Sequence, residues 1–255
     1  STYLLNEHEV TATNSDGTTT TMPGKRSYRI QGAASEVISR HLRASGRVDY
    51  FTDIVAQQTY NTNIYDASRS QRTITGNVTG SWGGSRIVGS VGRTEYFTGV
   101  NDSALYASTP RVTFSRGERP IGNLPVYVTL GGEYVTLQRG STVTTTDGTT
   151  TTTNRALSRV DFAPTLRVPF TRWPFLTVNS SVGWRGTFWT KSWDTGHNLL
   201  DQSVSRRLFD LQSNITGPVL NRIFNTPNSG YAEKLKHTIE PYVNLRYTTA
   251  VHDFE

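Results

Sequence analysis

The sequence predicts an all-β protein: an incomplete segment of an antiparallel, up-and-down transmembrane β-barrel with about ten to twelve long strands. Three observations predict it. First, residues 156–189 hold two apolar/polar alternations joined by a four-residue turn. Val160, Phe162, Pro164, Leu166 and Val168 share one face, against Arg159, Asp161, Thr165 and Arg167. After Thr171–Pro174 the rhythm resumes, with Leu176, Val178, Val182, Trp184 and Phe188 opposing Thr177, Asn179, Ser181, Arg185 and Thr187. Side chains of a strand alternate faces, so each segment is oily on one side and wet on the other. Such strands of about 14 residues exceed the usual soluble length of about 5–6, and suit tilted staves that cross a bilayer and protrude.

The second observation is composition. Of 255 residues only 35% are hydrophobic, yet 11% are aromatic. Disorder would explain the polarity but not the abundance of Tyr, Trp, Phe and Val. A barrel with a watery interior explains both. Third, short connections alternate with longer ones from Arg69 to Gln202, the asymmetry of outer-membrane barrels.

Taken in chain order, Ser15-Asp16-Gly17-Thr18 followed by three threonines reads as a hairpin tip or a disordered linker, with Asp-Gly favouring a type I′ turn. Ser35–His41 reads as a brief turn or bend, and no helix of useful length is expected. Asn61–Ser68 is a longer connection. Ile74, Gly76, Val78, Gly80 and Trp82 line one face of a strand that turns at Gly83-Gly84 into a long strand through Phe97. Gly99–Ala107 is a longer connection before a short strand near Arg111–Arg116. Gly117–Leu124, containing Pro120, links that strand to one at Pro125–Leu137. Arg139–Arg155 holds a second Asp-Gly-Thr tip at Asp147. Lys191–Gln202 is another longer connection, Gln202–Thr216 alternates imperfectly, and Gly217–Tyr231 is an irregular link with two prolines. In Lys236–Thr249, Ile239, Val243, Leu245 and Tyr247 oppose Thr238, Glu240, Asn244 and Arg246. The opening Ser1-Thr2-Tyr3-Leu4-Leu5 is already strand-like, and the expectation is of a piece of a longer exported protein whose signal lies upstream.

Chemistry-bearing patterns are few. The chain has no cysteine, and His8, His41, His197, His237 and His252 form neither H-x-H nor H-E-x-x-H, so no metal site, cofactor or enzymatic activity is expected. His237 reads as structural or interfacial, and Asp194 with His197 as a solvated loop pair. Gly89–Gly92 and Gly76–Gly80 fall inside strands, so they read as barrel curvature or close backbone approach rather than phosphate loops. The sequons at Asn77 and Asn214 read as chance. The net charge is +6, and the 26 Lys and Arg are scattered without a basic block, which favours a charged interior over a nucleic-acid partner. Function is therefore expected on the wet face, at Arg43, Arg47, Asp49, Arg159, Asp161, Arg167, Arg185, Glu240 and Arg246. Three roles stay open for these charges: ion pairs between staves, contacts to a protein plug, and contacts to a sugar-phosphate chain. Trp82, Trp173, Trp184, Trp189 and Trp193, with Tyr50, Tyr96 and Phe97, read as interfacial girdles, or less simply as stacking platforms for carbohydrate.

Several runs resemble one family. Arg47-Val48-Asp49-Tyr50-Phe51, Asn63-Ile64-Tyr65-Asp66-Ala67-Ser68 and Lys236-His237-Thr238-Ile239-Glu240-Pro241 resemble the barrel of the LPS-assembly outer-membrane protein family LptD (organic solvent tolerance protein). Gly217-Pro218-Val219 and Arg222-Ile223-Phe224 are similar to it too, and the likeness runs from roughly Arg29 to Tyr247. The resemblance implies a barrel of about 26 strands in the outer membrane of a Gram-negative bacterium, at the upper end of the usual range. It further implies a periplasmic jelly roll, a plug lipoprotein of the LptE kind in the lumen, periplasmic bridge proteins delivering lipopolysaccharide, and a lateral seam for its exit. On that reading residues 1–255 are a single barrel segment, without the jelly roll, the remaining strands and the cysteines of some members. A general porin or receptor barrel, or a secreted carbohydrate-binding β-protein, are the rival expectations.

Overall fold

The computed structural model describes residues 2–13, 16–22, 24–196, 198–227 and 230–250. The strands are β1 (Thr2–Glu7), β2 (Val10–Thr13), β3 (Thr19–Met22), β4 (Lys25–Ser39) and β5 (Leu42–Phe51). Two short helices follow, α1 (Ile54–Thr59) and α2 (Ile64–Ala67), then β6 (Gln71–Trp82), β7 (Ser85–Phe97), β8 (Ser103–Pro120), β9 (Tyr127–Thr144), β10 (Thr150–Phe162) and β11 (Thr165–Trp173). The chain continues with β12 (Leu176–Trp189), β13 (Ser192–Trp193), β14 (Leu199–Leu200), β15 (Val204–Thr216), β16 (Leu220–Asn225), β17 (Lys234–Ile239) and β18 (Tyr242–Thr248). Twelve strands hydrogen-bond in the order β1-β4-β5-β6-β7-β8-β9-β10-β12-β15-β18, with β11 pairing both β12 and β9. This is an up-and-down antiparallel sheet with β1 and β18 as its end strands, so it is not closed.

The chain divides into two compact units. In the first (Ser1–Thr113, Glu133–Arg159 and Thr190–Asp201), register places the predicted faces. Arg43↔Thr79, Ser45↔Asn77, Arg47↔Thr75 and Asp49↔Thr73 share the polar face, while Val48↔Ile74 and Ala44↔Val78 share the apolar one. In the second (Phe114–Gly132, Val160–Trp189 and Gln202–Glu255), Arg167↔Ser181 and Ser181↔Gln212 lie on the polar face, and Leu166↔Val182↔Leu211↔Tyr247 on the apolar one. β11 pairs Thr165 with Thr129 of β9 and with Gly183 of β12. The segment read as one stave from 156 is thus two strands with a break at Ala163-Pro164.

Several connections differ from expectation: the short strand expected near Arg111–Arg116 is the middle of the 18-residue β8, so the link expected over Gly117–Leu124 shifts to residues 121–126, and Lys191–Gln202 holds the paired strands β13 and β14. β8 starts at Ser103 and β9 reaches Thr144, so the connections after Phe97 and after Leu137 are much shorter than the pattern suggests. Threonine runs lack apolar alternation, yet their hydroxyls pair across the ladder, Thr142 with Thr152 at 3.4 Å and Thr144 with Thr150 at 3.1 Å. The threonines of both repeats enter paired strands, Thr19–Met22 as β3 against β2 and Thr150 onward as β10, while Ser15 lies outside the described residues. At the second, Gly148 N–H donates to Thr145 O and takes φ +84, while Asp147 Oδ1 accepts from Thr149 N–H at 2.9 Å. Left-handed glycine after a four-residue turn replaces the predicted two-residue type I′ tip. β4 runs to Ser39, so the expected bend over Ser35–His41 shrinks to Arg40-His41. The irregular link after Gly217 holds β16, which pairs with β17; Leu220↔Ile239 follows Thr216↔Tyr242 with a one-residue slip where Pro218 and Pro241 interrupt the ladder. Lys236–Thr249 is accordingly two strands, not one. α1 and α2 were invisible to periodicity, being six and four residues long, although Asp53 and Asn63 cap them by accepting from Val55 and Tyr65 amides.

Burial is inverted relative to a water-soluble sheet. Val182, Val243 and Ile239 are 44%, 52% and 49% exposed, with no second layer over them among the described residues. Among the described residues the buried apolar side chains are few: Phe51, Ile54, Ala56, Ala107, Val135 and Val204. Polar-face groups such as Arg29, Asp49, Asp161 and Thr187 are buried instead. A soluble antiparallel sheet covers its apolar face and wets its polar one; each unit here does the opposite.

Candidate functional surface on the polar face

In the first unit, the long connection after β5 folds onto the polar face and is locked there by charge. Asp49 pairs with both Arg69 and Arg29, and Arg29 Nη2 also reaches Asp66 Oδ1 at 3.2 Å. Gln57 of α1 is fully buried, donates to Asp66 O at 2.6 Å and accepts from the Tyr3 hydroxyl. At the start of α1, burial raises the Asp53 carboxyl's affinity for protons. The Lys25 ammonium and the Val55 and Ala56 amides outweigh it and hold the group below the usual carboxylate range. Elsewhere in this unit Glu133 pairs with Arg159 and lies 3.6 Å from Arg111.

The other end of β4–β7, where Arg40-His41 and Gly83-Gly84 make tight turns, is different. Arg40, Arg43, Arg47 and Arg86 are exposed, and none has a carboxylate in ion-pair reach among the described residues. Arg40, His41, Arg43 and Arg86 line a cavity of about 470 Å³ with Ser35, Ser45, Asn77, Thr79 and Ser81.

In the second unit most polar-face charges are paired, although Arg206, across from Thr187, packs over the Trp189 ring rather than on a carboxylate. Asp161 is buried and accepts from Arg185 Nε at 2.9 Å and from the Thr187 hydroxyl at 2.7 Å. Arg167 Nη2 donates to Glu118 at 3.0 Å and Nη1 to Asn179 at 3.3 Å. Asp210 accepts from Arg246 at 3.2 Å and from Thr248 at 2.7 Å.

The structure thus brings Asp49, Arg159, Asp161, Arg167, Arg185 and Arg246 into ion pairs and leaves Arg43 and Arg47 without one among the described residues. Glu240 lies exposed in the break between β17 and β18, outside both strands. His197 and His252 lie outside the described residues. Asp194 instead accepts from the Asn198 amide at 2.7 Å.

The partners Arg29, Arg69, Glu118, Glu133 and Asp210 escaped sequence reasoning, because a cross-strand partner is fixed by register rather than by local spacing. Charges on β6 and β7 break the oily-outside pattern: Arg72 bonds Glu95 at 2.7 Å on the apolar face and packs over the rings of Tyr50 and Phe97, with Arg93 4.0 Å from the same carboxylate. Two flanking aromatics are the signal that marks such a rim position.

The polar face of each unit offers guanidinium groups, hydroxyls and amides, suited to reversible contacts with a polar, anionic chain. Against this geometry, the family model described as "LptD: LPS transport system D" matches residues 24–252. No curated protein matches the chain.

Proposed function

Because this chain belongs to the LptD family of LPS transport system D proteins, we propose that it is wall of the outer-membrane barrel that inserts lipopolysaccharide into the outer leaflet. The observation that carries this reading is the uncovered apolar face of a sheet whose polar face holds the buried charges. Lipid covers the first face, as around any barrel that crosses a bilayer. The second faces the lumen, where the saccharide passes. The role is one of guidance and makes or breaks no covalent bond. Arginines tied to carboxylates hold neighbouring staves together, and the unpaired ones are free for the cargo. A plug lipoprotein seated in the lumen and periplasmic bridge proteins complete the path.

Depleting the protein from cells, while labelling surface saccharide and following uptake of small solutes, tests this reading. Loss of newly made lipopolysaccharide from the surface is expected. Undiminished surface lipopolysaccharide with reduced solute uptake would instead identify a passive pore.

A further inference from the structure

We propose that the turn-end cavity of β4–β7 is a binding site for the phosphate groups of a phosphorylated saccharide, with Arg43 and Arg86 as its principal cations. Arg43 sits across from Thr79 of β6, and Arg86 across from Ser81 of the same strand. The two guanidinium-bearing strands therefore flank β6 on the polar face, about 10 Å apart at the usual strand spacing. Arg40 and His41 close the cavity from the β4–β5 turn.

Three arginines without a carboxylate partner gather here in one polar cavity. Arg159, Arg167, Arg185 and Arg246 each hold a carboxylate, whereas Arg40, Arg43 and Arg86 hold none among the described residues. The nearest acid in sequence, Glu36, pairs with Ala44 and so projects from the opposite face. Clustered cations without counter-charge repel one another, and an anion relieves that repulsion. Phosphate suits guanidinium groups, which donate in a planar fork.

The rest of the lining identifies the carrier of the phosphate. Ser35, Ser45, Asn77, Thr79 and Ser81 supply neutral donors and acceptors for hydroxyl groups. Apart from His41 the lining has no aromatic ring, and it has no large aliphatic side chain. A protein partner anchors on such residues, so a saccharide fits better than an acidic protein.

The saccharide's identity as lipopolysaccharide rests on the transport reading above, while the anion site rests on the cavity itself. The test uses the full-length protein in detergent, titrated with a glucosamine disaccharide bearing two phosphates, with its unphosphorylated counterpart, and with inorganic phosphate. Saturable binding of the bisphosphorylated disaccharide is expected, weakened about tenfold or more in R43Q/R86Q by loss of charge-assisted hydrogen bonds. K234Q, at an exposed hairpin position, is expected to bind normally and controls for folding. Equal binding by R43Q/R86Q, or equal binding of the unphosphorylated sugar, overturns the proposal. Inorganic phosphate binding as tightly as the disaccharide overturns the saccharide assignment in favour of free phosphate. A photo-crosslinker at Thr79 in cells is expected to capture lipopolysaccharide; capture of a protein alone assigns the cavity to a plug and overturns the proposal. Failure here leaves surface delivery of lipopolysaccharide on depletion as a separate readout of the transport reading.

Discussion

The polar face of β4–β7 has two ends with opposite electrostatics. At the loop end Asp49 and Asp66 sit among Arg29 and Arg69, and the charges are paired, Arg29 and Asp49 buried and Asp66 and Arg69 half-buried. At the turn end Arg40, Arg43, Arg47 and Arg86 stand exposed and unpaired among the described residues. Both ends share strands, face and residue type. The difference teaches that level along a stave, and not face alone, decides whether a charge holds structure or waits for a ligand.

The comparison breaks most sharply at Asp49. Asp49→Ala strands Arg29, which is 4% exposed, with one acid instead of two. Breaking a buried pair costs about 3–5 kcal/mol, so denaturant titration of the refolded protein is expected to show a large loss. A loss below 1 kcal/mol would mean that the loop-end network is not structural.

Val182→Arg places a charge on the apolar face of β12 and is expected to cost about 2–4 kcal/mol near the bilayer midplane. Insertion yield into vesicles measures it, and normal insertion would reverse the in/out assignment. Gly186→Ala is smaller. A Cβ there would lie 2.6 Å from the Trp184 ring, and forcing the ring aside costs about 1–3 kcal/mol. Tryptophan fluorescence should report its displacement.

The loop end also has a pH signature. Because the folded Asp53 carboxyl lies below its ordinary range, its contribution is complete above the unfolded value of about 4 and fades as pH falls towards the folded one. Hydrogen exchange of the α1 amides is expected to accelerate over that acid range, and Asp53→Ala, which removes both the acceptor for the Val55 amide and the partner of Lys25, should exchange fast at every pH. Smallest of all, Arg43→Ala at the turn end should change stability by no more than about 0.5 kcal/mol. A larger loss would place Arg43 with the structural charges.

Much of this was legible beforehand, because lipid-facing staves impose a strict period of two. Alternation assigns Leu166, Val182, Val243 and Tyr247 to one face, and register agrees. What periodicity could not reach was set by tertiary context. β16 is exposed throughout and so carries no apolar rhythm of burial, and α1 spans too few residues to show one. The candidate surface was half legible: its arginines stood out, but which of them find a carboxylate depends on partners such as Glu118 and Asp210 several dozen residues away. The unpaired cluster therefore emerges only once the strands are aligned.

The chain contains no cysteine, so single thiols can be placed at will and labelled with a fluorophore. In the protein reconstituted into vesicles, labels at Val182 and Val243 should be quenched by a lipid-borne quencher and not by a soluble one, with Asn179 and Asn244 giving the reverse. Quenching of Val182 and Val243 from water, with Asn179 and Asn244 reached from lipid, would contradict an oily outer face and a hydrated inner one.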